Sequence, residues 1–149
     1  MSLEIPAIQK TLAIEQIDGW LLYDFKGSNP IAVELAGLAG KHTTRRWYYF
    51  IPASGRPKKL VHAIEPFHLD HLEGDKMTYA GRAQLEQGVI EITRGAKVVA
   101  MEYSPECAIP YLSRVDGGSS SRASPRCCAA PRSWRWSTRP SARFPICPA

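Results

Sequence analysis

Gly19-Trp20-Leu21-Leu22-Tyr23-Asp24-Phe25-Lys26-Gly27-Ser28-Asn29-Pro30-Ile31-Ala32 is the stretch on which the fold turns. Trp20 to Tyr23 is an unbroken apolar and aromatic run, the pattern of a strand buried on both faces. It stops at a polar elbow, and a helix opens at Asn29-Pro30. Asn accepts a hydrogen bond from a free first-turn amide, and Pro at the first helical position removes an N–H that had no partner anyway. Strand, elbow and helix in that order form the building unit of an α/β sheet, and such elbows are where these sheets usually place ligands. Asp24, Lys26, Ser28 and Asn29 are therefore the first candidate site, suited to a carboxylate or phosphate at a helix N-terminus. Capping explains Ser28 and Asn29 equally well, no G-x-G-x-x-G fingerprint is present, and capping is the preferred reading.

Working outward, Leu3 to Ile17 places Ile5, Ile8 and Leu12 at helical spacing, with Pro6 in the first turn and a stop expected near Asp18-Gly19. After the elbow, Asn29 to Leu38 predicts a helix with Ile31, Leu35 and Leu38 on its inner face, closed by Gly40. Trp47 to Pro52 and Lys59 to Ile64 flank turn residues Ser54-Gly55-Arg56-Pro57 and predict a β-hairpin. Pro66 to Leu72 predicts a short helix and Lys76 to Ala80 a short strand. Ala83 to Arg94 predicts a helix on Leu85, Val89 and Ile92, despite the cost of Gly88 inside it. Lys97 to Tyr103 predicts a buried strand, and Pro105 to Val115 a last helix. The fold class that follows is α/β: a mixed, mainly parallel sheet of about five strands with one hairpin and helices on both faces.

The net charge of +5 invites a nucleic-acid reading, but its distribution argues against one. Residues 1–118 hold 13 Lys and Arg against all 14 Asp and Glu, whereas residues 119–149 hold six Arg and no acid. That segment also has seven Ser, five Pro and three Cys, with no Leu or Val, so it has no face to bury and predicts disorder. Its composition is what out-of-frame reading of a GC-rich gene yields, which is the preferred reading. A basic arm using Trp134 and Trp136 to stack on bases is the alternative. The domain division expected is thus 1–118, folded, and 119–149, a tail.

Cys107 is the one cysteine of the body, and no C-x-x-C pair occurs, so neither a zinc ribbon nor a disulfide framework is expected. A lone thiol and an N-terminus without an apolar run suit the cytoplasm, with no membrane partner. His62, Glu65, His68 and His71 make the one metal-like run, H-x-x-E-x-x-H-x-x-H. His62 falls in a strand and a proline interrupts the run, so no metal site is assigned and His62, His68 and His71 stand as the alternative. Arg45 and Arg46, ahead of the Trp47 strand, suit an anion or a partner surface, with plain solvation the simpler reading. Cys107 has no visible base and no sign of activation as a nucleophile.

Several strings in order resemble one known domain. Gly19 to Pro30, Thr44-Arg45-Arg46-Trp47-Tyr48-Tyr49-Phe50-Ile51-Pro52, Val99-Ala100-Met101-Glu102-Tyr103-Ser104-Pro105 and Ala108 to Asp116 look like the N-terminal domain of the creatinase/prolidase/Xaa-Pro aminopeptidase family, across residues 3–118. The resemblance implies an α/β accessory unit that supports homo-oligomer contacts and helps wall an active-site entrance. Asp24, Lys26, Ser28, Asn29, Arg45 and Arg46 would be the wall. It also implies a partner, the "pita-bread" catalytic domain, which holds two divalent metal ions (Mn, Co or Zn) and hydrolyses the bond before proline. None of that domain's ligands maps onto this sequence. The expectation is an accessory domain without its catalytic half, inert alone, with no cofactor of its own. The alternatives are a stand-alone binding module of the same fold and a nucleic-acid binder acting through the tail.

Overall fold

In a computed structural model, residues 3–102 are described. Their order is α1 (Ile5–Ile14), β1 (Gly19–Asp24), α2 (Pro30–Leu35), β2 (Trp47–Pro52), β3 (Lys58–His62), β4 (Asp75–Tyr79), α3 (Arg82–Ile92) and β5 (Val99–Ala100). The strands form one sheet in the order β4-β3-β2-β1-β5. β1 lies at its heart: all six residues are buried, antiparallel to β2 and parallel to β5.

The period of two sorts the side chains into two cores. On one face Trp20 and Leu22 meet Trp47, Tyr49, Ile51 and Val61 beneath α1 and α2. On the other, Leu21 and Tyr23 meet Tyr48, Phe50, Leu60 and Val99 beneath Val89 and Ile92 of α3. Each fully buried Leu, Ile or Val contributes about 1.5–3 kcal/mol. The sheet is mixed with helices on both faces, as the sequence predicts, but it is not mainly parallel. The β1–β2 and β2–β3 pairings are antiparallel, and the β1–β5 and β3–β4 pairings are parallel. The β2–β3 hairpin is present, and β2, β3 and β4 lie within a residue or two of their predicted bounds.

Other differences have local causes. α1 ends before Asp18, because Gln16 adopts φ 57° and the Ile17 amide reaches back to the Leu12 carbonyl at 2.9 Å, a helix stop made without glycine. Gly19 is needed for another reason: a Cβ there would sit 2.3 Å from the Phe50 ring. α2 stops at Gly37 (φ 63°) rather than Gly40; Leu35 and Leu38 pack on the core as expected, joined by the buried Ala32 and Ala36, while Ile31 is 44% exposed. Small residues let the elbow helix lie close to β1.

No helix forms between residues 66 and 72; the segment from 63 to 72 is a chain of turns. Several carbonyls in and next to this segment accept from side chains. Lys59 Nζ donates to Leu69 O (3.1 Å) and Leu72 O (2.7 Å), Lys76 Nζ to Pro66 O (3.3 Å), and Tyr49 Oη to Glu73 O (3.0 Å). The predicted strand from Lys97 contributes only Val99 and Ala100 to the ladder, since the amides of Lys97 and Val98 donate to Asp18 Oδ2 at 2.7 and 2.8 Å. The predicted helix over 105–115, Tyr103, Cys107 and the segment 119–149 lie outside the described residues. Among the described residues, no helix is long and apolar enough to cross a membrane.

Candidate functional site

The elbow is closed by its own residues. Ser28 N donates to Phe25 O at 3.2 Å, with Lys26 and Gly27 at φ 57° and 74° between them. The Asp24 carboxylate accepts from Gly27 N (3.0 Å), from Asn29 N (2.9 Å) and from the Thr43 hydroxyl (3.3 Å). A carboxylate thus does occupy the elbow amides, and it is the chain's own. α2 has only six residues, and the Asn29 Oδ1 cap accepts from Ala32 N at 3.2 Å.

Asn29 does more than cap. Its Nδ2 donates to Tyr23 O (2.8 Å) and to Glu102 Oε2 (2.9 Å), while Glu102 Oε1 accepts from the Trp20 indole (2.9 Å). Trp20, Glu102, Asn29, Asp24 and Thr43 therefore make one connected polar network, with Asp24 and Asn29 fully buried. Burial raises the Glu102 carboxyl above the usual carboxylate range, and the Asn29 and Trp20 hydrogen bonds oppose that shift without cancelling it. Glu102 and Thr43 were not singled out from the sequence. Glu102 lies 73 residues from Asn29, and a lone Glu after an apolar strand carries no local signal.

The six predicted wall residues divide in two. Asp24 and Asn29 face inward, whereas Lys26, Ser28 and Arg45 are exposed and Arg46 is half-buried. Lys26 and Arg46 meet at Phe25, with Lys26 Nζ at 5.3 Å and the Arg46 guanidinium at 4.3 Å from the ring centroid. Next to them, Glu65 accepts from Thr44 N (3.1 Å), from the Thr44 hydroxyl and from Arg45 N (3.2 Å), and pairs with His68 at 3.3 Å. Burial pushes the Glu65 carboxyl up, but the Thr44 and Arg45 hydrogen bonds outweigh it and hold the group below its ordinary value.

The histidine run does not assemble. His62 Nδ1 accepts from Ile64 N (3.0 Å) and its ring stands edge-on to Tyr79, His68 is on Glu65, and His71 Nε2 is 2.6 Å from Ala36 O. Among the described residues no three His, Cys, Asp or Glu side chains converge as a metal would require. Among the described residues, the buried Trp47 indole N–H has no hydrogen-bond partner.

No protein-family model and no curated protein matches the chain. Solved structures do. The creatinase/prolidase N-terminal domain of an X-Pro dipeptidase from Streptococcus pyogenes superposes with a TM-score of 0.51 at 14% identity, over 69% of this chain and 78% of that one. A proline dipeptidase from Streptococcus pneumoniae gives 0.50 at 20% identity, over 68% and 74%. The prolidase of Pyrococcus horikoshii matches 72% of this chain with a TM-score of 0.48 at 14% identity, and the chain spans only 28% of that protein's length. The fold is therefore that of creatinase/prolidase N-terminal domains, as the resemblance in the sequence implied.

Proposed function

We propose that this chain is an accessory domain of an Xaa-Pro peptidase-like protein, contributing surface and not bond-breaking groups. The observation that carries this reading is the superposition over 78% of an isolated N-terminal domain of an X-Pro dipeptidase. The site supports it. Cleaving the bond before proline needs an activated water or nucleophile. Asp24, Glu65 and Glu102 are each engaged with amide, hydroxyl, indole or imidazole groups of the same chain. The exposed Lys26, Ser28 and Arg45, with Arg46 behind them, are the residues that would line an entrance shared with a catalytic domain.

The test is direct. Purified chain incubated with Xaa-Pro dipeptides and Mn²⁺, Co²⁺ or Zn²⁺ is expected to release no more proline than metal alone. Supplied to a prolidase stripped of its N-terminal domain, it is expected to bind and raise activity. Turnover by the chain alone, or no binding to the stripped enzyme, would overturn the reading.

A further inference from the structure

We draw no further inference here: the strongest candidate, the apolar surface patch of exposed Ile64 and Phe67 on the turns between β3 and β4, carries none, because nothing in the structure shows what covers it.

Discussion

At the scale of the residue, Asn29 shows how far local chemistry reads from sequence. Its capping role follows from Asn-Pro ahead of an apolar run, and the structure places Oδ1 on the Ala32 amide. Its second role, donating to Glu102, could not be read, because the partner is distant in sequence and no periodicity joins them. That bond makes Glu102 the titratable group to watch. Its carboxyl is raised in the folded chain by burial, so its contribution to stability is fully present below the unfolded value near 4.5 and falls as pH rises through the higher folded value. Glu102→Gln removes that titration, while its amide turns one donor toward the Asn29 or Trp20 donor. The variant is expected to start less stable than wild type by about 1–2 kcal/mol at low pH and to close the gap as pH rises. Thermal melts at matched pH values check this, and parallel curves would contradict it.

At the scale of the element, the sequence marks existence better than extent. α3 is legible from Leu85, Val89 and Ile92, but Gly88 reads there as a defect. It is a packing requirement: a Cβ at that position would lie 2.7 Å from Leu60 Cδ1, where α3 crosses β3. Gly88→Ala is therefore expected to destabilise by about 1–3 kcal/mol, against the gain of about 1 kcal/mol that helix propensity alone suggests. Urea unfolding gives the sign. The turns over 63–72 are the opposite case, where a helical pattern loses to tertiary hydrogen bonds. Lys59, buried on β3, holds the Leu69 and Leu72 carbonyls, and burial pushes its ammonium below the usual lysine value. Lys59→Met leaves the Leu72 carbonyl unpaired and the Leu69 carbonyl with the Leu72 amide alone, and is expected to cost about 1–3 kcal/mol. Amide exchange is expected to quicken over 63–73 before it does so in β1 or β2.

At the scale of the whole molecule, one sheet serves two cores that share no helix. Leu22 and Leu60 are both fully buried, on opposite faces and on strands separated by β2. Each Leu→Ala change is expected to cost about 2–5 kcal/mol. Because the two lie on opposite faces the costs are expected to add, to about 4–10 kcal/mol, which would unfold a domain at the lower end of the ordinary range of about 5–15 kcal/mol. Circular dichroism and tryptophan emission are expected to give one midpoint in each single variant, because both faces hang on β1 and β2. Separate midpoints would show that the cores unfold independently. The two-faced architecture was legible in the apolar runs of β1 and β2. The even split of parallel and antiparallel pairings was not, since register and direction depend on which strands meet and not on any one strand's composition.

The Asp24 carboxylate has a further consequence. Held by the chain beside the Gly27 and Asn29 amides, it acts as a tethered competitor whose effective concentration is on the order of millimolar or above. A free acid well below that concentration does not displace it. An anion reaching this elbow therefore has to compete with the chain's own carboxylate for the Gly27 and Asn29 amides.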